Sequence, residues 1–210
     1  MKEQVPKKAQ RHRPKVKQRA IIEAADELFL KHGYDGTSID MIAERAGVSR
    51  QTIYNQYESK EALFSAVTTD FVQEILLPLT ASIERSDGLR ETLIAFASRL
   101  MTALLLPRTR ALYRLTITEA QRFPALGRAV YAAAVEATER NLASYLRAQS
   151  ELQVPDPIIS ARQFFALVSH PINLKINLGI EIDPDDRELP EHLYAAVDTF
   201  LRAFGKAGGR

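Results

Sequence analysis

The 210-residue chain has no cysteine, which excludes disulfides and thiolate-ligated metals and removes the thiol nucleophile from consideration. Histidine is sparse and scattered: His12, His32, His170 and His192 stand apart, without HExxH spacing. No Gly-rich phosphate loop appears either. These absences leave no catalytic constellation, so the expectation is a non-enzyme with no cofactor and no metal. No run of about 18 uninterrupted apolar residues is present to span a membrane, and no secretory apolar segment follows Met1. Strand-like alternation between hairpin turns is missing too, as are internal repeats.

What remains is helical periodicity and an uneven distribution of charge. Apolar residues make up 46% of the chain, enough to bury a sizeable core over one or two domains. The net charge of +2 conceals an asymmetry. Residues 1–19 carry eight Lys and Arg against Glu3, a net of +7, and the remainder holds 20 basic against 25 acidic residues, a net of −5. A basic, Pro-containing segment of this kind, with Arg11 and Arg13 in it, can lie along phosphates or enter a minor groove; the alternative is a solubilising tail.

The most informative stretch is Thr37 to Lys60, TSIDMIAERAGVSRQTIYNQYESK. Asp35-Gly36 makes a turn, and Thr37 with Asp40 three residues on matches a capping box, predicting a helix from about Ser38. Ile39, Ile42, Ala43 and Ala46 recur at helical spacing and predict an inward face, with Asp40, Glu44 and Arg45 in water. Gly47 is the expected left-handed terminator, Val48 plugs the turn, and Ser49 caps a second short helix. That second helix turns Ile53 and Tyr57 inward and Arg50, Gln51, Thr52, Asn55 and Gln56 outward. Guanidinium, amide and methyl-bearing hydroxyl groups suit the major groove, where each good side-chain-to-base pair discriminates by about 1–3 kcal/mol. Tyr54 and Lys60 are expected toward the phosphates, and Ser38 and Ser49, at the two helix starts, complete the candidate DNA-binding set.

The segment from Gly33-Tyr34 to Lys60-Glu61 resembles the N-terminal domain of the TetR/AcrR transcriptional regulators. The residues that carry the resemblance are Thr37, Ile42-Ala43, Ala46-Gly47-Val48-Ser49, Thr52-Ile53-Tyr54 and Ser59-Lys60-Glu61-Ala62-Leu63. The resemblance implies DNA contacts at Thr37, Arg50, Gln51, Thr52, Tyr54, Asn55 and Lys60. One departure stands out: Gln51 occupies a position where the family often has Gly, and its longer side chain can reach a base.

Upstream, a helix is expected from about Lys15 to His32, with Ile21, Ala24, Ala25, Leu28 and Phe29 inward and Gly33 ending it. A fourth starts at Ser59, carries the seam Leu63, Phe64, Val67, Phe71 and Ile75, and runs at least to Pro78. Further helices are predicted over 88–106, 108–121, 124–150, 156–178 and 190–206, separated by Pro107, Phe123-Pro124, Val154-Pro155-Asp156-Pro157 and the acidic turn at Asp183-Pro184-Asp185-Asp186. The predicted fold class is all-α: a three-helix helix-turn-helix DNA-binding domain, then an α-helical ligand-binding and dimerisation domain. The expected boundaries are a basic arm over 1–14, the DNA-binding domain over 15–75 with its motif at 38–57, and the C-terminal domain over 76–210.

Leu112-Tyr113-Arg114-Leu115, Glu119-Ala120-Gln121-Arg122-Phe123-Pro124 and Tyr145-Leu146-Arg147-Ala148-Gln149 are similar to the C-terminal domain of AefR-like regulators within the same family. That similarity implies an effector-binding and dimerisation domain without naming a ligand. Polar groups set in otherwise apolar helices, Arg99, Tyr113, Glu119, Arg122, Tyr131, His170 and Asn173, are the ligand-pocket candidates, and Pro171 is expected to kink its helix beside the last two. Apolar stripes at Phe164 and Val168, and at Val197, Phe200, Leu201 and Phe204, are the dimer-interface candidates. One short reading helix specifies too little DNA, whereas two of them reading half-sites one turn apart specify enough. The expected function is a cytoplasmic regulator, associated with the bacterial nucleoid when on DNA. It would bind a palindromic operator as a homodimer and repress until a small-molecule effector releases it. The alternative is a ligand-independent structural or cell-cycle factor on the same scaffold.

Overall fold

Caps and breakers set the helix limits. The computed structural model describes residues 13–83, 88–183 and 188–206, and side chains over 16–74, 88–183 and 188–206. Arg11 with the rest of the arm to residue 12, the Arg13 side chain, the Ile75 side chain and Pro184 to Asp186 lie outside it. The helices are α1 (Arg13–His32), α2 (Ile39–Ala46), α3 (Arg50–Tyr54), α4 (Lys60–Ile83) and α5 (Leu89–Leu105), then α6 (Pro107–Glu119) and α7 (Pro124–Val130). A π-helical turn, Tyr131–Glu136, joins α7 to α8 (Ala137–Ala148), followed by α9 (Pro157–Asn177) and α10 (Glu188–Phe204). Among the described residues the only β pairing is an isolated bridge between Leu152 and Gly205, so the all-α expectation holds.

The chain forms two compact units. One comprises Met1–Asp70 with Leu115–Ala129, and the other Phe71–Arg114 with Val130–Arg210. The division falls at Asp70 rather than at residue 75, and it assigns the end of α6 and α7 as far as Ala129 to the first unit, which sequence periodicity could not foresee.

In the first unit, Ile21, Ala25, Phe29, Tyr34, Ile42, Ile53, Leu63 and Phe64 lose nearly all solvent contact. Phe29, Tyr34 and Phe64 form a three-ring cluster with centroids 5.3–5.6 Å apart, and Phe123 meets Tyr34 edge-on at 4.7 Å. Such pairs add about 0.5–1.5 kcal/mol each beyond the area they bury. Burial, and after it the Glu61 charge, raises the Tyr34 phenol well above its ordinary range, so it stays neutral. Beside it, Arg122 donates to Asp35 at 2.5 Å, which ties the turn before α7 to the turn after α1.

In the second unit, Leu93, Phe96, Leu100 and Met101 of α5 pack with Leu142 and Leu146 of α8, Phe164, Val168 and Ile172 of α9, and Leu193, Val197 and Phe200 of α10. Phe164 and Phe200 meet edge to face at 5.1 Å. Asp156 caps α9 by accepting from the backbone N–H groups of Ile158 and Ile159 at 2.9 and 3.1 Å, and Pro157 follows at the first turn, where its missing N–H costs nothing. Glu139 is buried in this otherwise apolar packing and is held by both ends of the Arg162 guanidinium at 3.0 and 2.9 Å, a bidentate pair that compensates the carboxylate's desolvation. The fork also raises the Arg162 guanidinium further above its ordinary value.

Candidate nucleic-acid interface

The helix-turn-helix is fixed by its caps. Ser38, in extended backbone, accepts from the Met41 N–H at 3.2 Å and is the N-cap of α2, one residue later than the Thr37 capping box predicts. Gly47 ends the helix at φ 65°, a left-handed conformation that favours glycine, and its N–H returns to the Glu44 carbonyl. Ser49 then caps α3, accepting from the Thr52 N–H at 3.2 Å, and shares a hydroxyl–hydroxyl bond of 2.9 Å with the Thr52 side chain. Each such cap contributes about 1 kcal/mol, which a five-residue helix cannot do without.

Ile53 and Tyr57 are buried, as their spacing predicts. Arg50, Gln51, Tyr54, Asn55 and Gln56 are exposed, with Ser38 and Ser49 beside them at the surface, while Thr52 is half-buried. The Gln51 amide donates to the Asn55 side-chain oxygen at 2.8 Å, so the two amides are presented as one unit. Arg50 pairs with Asp40 at 2.9 Å across the turn, both side chains remaining mostly in water.

Two residues expected at DNA turn inward instead. Thr37 is 1% exposed, and its hydroxyl reaches the carbonyls of Leu28 and Gly33 at 3.0 and 2.8 Å. The Lys60 ammonium donates to the carbonyls of Tyr34 and Thr37 at 2.7 and 2.8 Å and sits 4.3 Å above the Tyr34 ring. The loop between α1 and α2 leaves the Gly33 and Thr37 carbonyls outside any helix, and these two side chains reach them. The Thr37 side chain therefore offers phosphate nothing, and two of the three Lys60 protons are engaged within the fold. A short-range pattern does not reveal such tertiary hydrogen bonds.

The ligand-pocket candidates are mostly dispersed. Arg99 and His170 are exposed, Tyr131 is 49% exposed, and Arg122 pairs with Asp35. Glu119 approaches the turn at Gly33, and Asn173 donates to the Ser169 hydroxyl at 3.2 Å. Tyr113 reaches a cavity, a space of about 50 Å³ in the second unit, walled largely by apolar side chains from α4, α5, α6, α9 and the segment joining α7 to α8. No charged side chain lines it. The buried Thr109 hydroxyl in its wall has no partner among the described residues, and burial raises the Tyr113 phenol above its ordinary value. Ala134 and Val135 of the π-helical turn complete the lining. Pro171 stays within an unbroken α9.

Four of the six dimer candidates need the same correction. Phe164, Val168, Val197 and Phe200 are each 0% exposed inside one protomer's core, and Leu201 and Phe204 pack against it half-buried. A residue enclosed by its own chain has no surface for a partner. On the opposite face of α9, Ile159, Leu167 and Leu174 are 50%, 37% and 50% exposed.

A short capped helix with an exposed row of hydrogen-bonding side chains, carried on an all-helical chain, defines a helix-turn-helix DNA-binding regulator. The chain belongs to the tetR family of bacterial regulatory proteins. The family model of that description matches residues 21–67, and the model of the AefR-like transcriptional repressor C-terminal domain matches residues 91–206. A TetR-family transcriptional regulator of Mesorhizobium loti is similar in structure at TM-score 0.80, with 31% identity over 92% of this chain and 99% of the other. The flavonoid-responsive regulator FrrA is similar at TM-score 0.77, with 34% identity over 91% and 98% of the two chains. In sequence, the HTH-type transcriptional regulator YhgD of Bacillus subtilis is 28% identical over 135 residues, 64% of this chain and 68% of that one. Among the described residues no helix is long and apolar enough to cross a membrane.

Proposed function

We propose that this regulator represses transcription by occupying a palindromic operator as a homodimer, and that a small uncharged effector bound in the Tyr113 cavity releases it. The observation that carries the operator reading is the linked pair on α3. With its amide committed to Asn55, Gln51 retains a free carbonyl oxygen, and Asn55 retains its free amide N–H groups. One acceptor beside one donor complements the N6 and N7 edge of adenine. Arg50 at the same exposed surface adds a fork suited to guanine.

The apolar face of α9 at Ile159, Leu167 and Leu174 supports the dimer, because solvated helix faces rarely carry such a row. For the effector, a lining without charge favours a neutral molecule, and the unpaired Thr109 hydroxyl calls for one polar group on it. FrrA is named for its response to flavonoids, flat hydroxylated aromatics of that chemical character. Since the cavity holds only about 50 Å³, seating such a molecule must open its walls, and tighter binding to the opened state is the required source of coupling to DNA.

Footprinting the full-length protein on the DNA flanking its gene tests the reading. The expected result is two protected half-sites about one helical turn apart. Replacing Gln51 by Gly should relax preference at one base pair in each half-site, and an unchanged preference would remove Gln51 from base readout. Protection at many dispersed sites, indifferent to flavonoids and other neutral aromatics, would favour an architectural role instead.

A further inference from the structure

We propose that the cleft between α6 and the C-terminal end of α9 binds a small organic carboxylate. The cleft measures about 280 Å³, lies wholly within the second unit, and is lined by Arg110, Arg114, Ile176, Gly179, Ile180 and Glu181. Its chemistry is opposite to that of the Tyr113 cavity, which has no charged wall.

Arg110 and Arg114 are four residues apart on α6, so one helix face presents both guanidinium groups. Like charges at that spacing destabilise a helix unless an anion lies between them. Elsewhere in the second unit, Arg90, Arg108 and Arg162 each reach a carboxylate. Arg110 and Arg114 reach none among the described residues. The Nε of Arg110 is also buried and finds no acceptor. A buried donor without a partner forfeits its hydration, so an arrangement of the Arg110 side chain that gives it an acceptor is favoured.

The remaining walls narrow the choice of anion. Ile176 and Ile180 offer an apolar side that an organic body covers and inorganic phosphate leaves bare. Gly179, at φ 72°, leaves open space where a side chain would otherwise stand. Glu181 makes no ion pair among the described residues, and its charge opposes a dianion. Two arginines and one glutamate leave a single positive charge, which a monocarboxylate neutralises while accepting a forked pair of hydrogen bonds.

The test is calorimetric titration of the full-length protein with benzoate, and separately with inorganic phosphate, at constant ionic strength set by chloride. Benzoate should bind saturably and raise the melting temperature. Arg114→Ala, at an exposed position that leaves the core intact, should weaken binding by roughly tenfold or more, the scale of one lost charge-assisted fork. Arg110→Lys, which keeps the charge and removes the buried Nε, should weaken it as well, whereas Glu181→Gln should bind as tightly or tighter. Absence of a saturable benzoate signal would overturn the proposal, as would equal binding by Arg114→Ala. Phosphate binding without benzoate binding would overturn the carboxylate assignment. Variants that lose stability equally with and without benzoate would leave the arginines as complements to the carbonyls at the end of α9.

Discussion

The two units use polar side chains in opposite ways. In the first, the polar residues deep in the fold hold the backbone: the Thr37 hydroxyl lies within reach of the Leu28 and Gly33 carbonyls, and the Lys60 ammonium donates to those of Tyr34 and Thr37. The polar residues on its surface, Gln51 and Asn55 among them, remain available for recognition. In the second unit apolar packing does nearly all the holding, and among the described residues the one fully compensated buried charge is Glu139 against Arg162. A polar residue in an apolar helix therefore has different meanings in the two places. Where a turn leaves carbonyls open it completes the fold, and where a helix is already satisfied it usually reaches the surface.

The largest effect that would break this contrast is in the second unit. Phe200→Ala removes a ring that is 0% exposed and packed between Phe164 and Phe204, and should cost about 3–5 kcal/mol of unfolding free energy. Leu167→Glu, on the exposed face of α9, should leave the melting temperature of the protomer nearly unchanged while shifting sedimentation from dimer to monomer. If Phe200→Ala instead yields a stable monomer, that ring belongs to the interface and its enclosure within one core is wrong.

Next in size is the clamp. Lys60→Met keeps the apolar stem and removes two charge-assisted hydrogen bonds, leaving the Tyr34 carbonyl with the Thr37 N–H alone and taking the ammonium from the Thr37 carbonyl. A loss of about 2–3 kcal/mol is expected by denaturant unfolding. Thr37→Val preserves shape and removes one hydroxyl, so about 1 kcal/mol should follow. If both variants melt like the parent protein and differ only in DNA affinity, these side chains are phosphate contacts after all.

Much of the fold was legible because helical periodicity, caps and prolines are local signals. The predicted start of a helix at 156 and its end at 178 match α9 to within a residue, since Asp156-Pro157 and Gly179 carry the instructions themselves. The face of α3 was legible for the same reason, as Ile53 and Tyr57 alternate with Arg50, Gln51, Asn55 and Gln56 at helical spacing. Contacts between elements were not. Nothing near Lys60 says that its ammonium ends on the Tyr34 carbonyl 26 residues away, and nothing near Arg122 announces Asp35. The stripe at Val197 and Phe200 has the pattern of an interface and of a core alike, and only packing decides between them. Of the cavity only Tyr113 was legible, because the other walls are mostly apolar and the unpaired Thr109 hydroxyl is a property of the folded chain.

The smallest effect sharpens the comparison through pH. Asp198 on α10 accepts two hydrogen bonds from Arg90 on α5 at 2.7 and 3.2 Å, and chiefly this bonding holds its carboxyl below the ordinary value of 3.8. A carboxyl whose folded value lies below its unfolded one contributes stability that is fully present above the unfolded value and is lost as pH falls through the folded one. The difference in melting temperature between the parent protein and Arg90→Ala should therefore be small at pH 7, because both side chains are exposed, and should vanish as the solution is taken below the carboxylate range. Added salt should shrink it at pH 7 as well. The Lys60→Met difference should persist over the same acid range, since the ammonium is joined to backbone carbonyls and to no carboxylate. A Lys60 effect that disappeared in acid along with the Arg90 effect would mean that a carboxylate, and not the carbonyls of the turn, is its true partner.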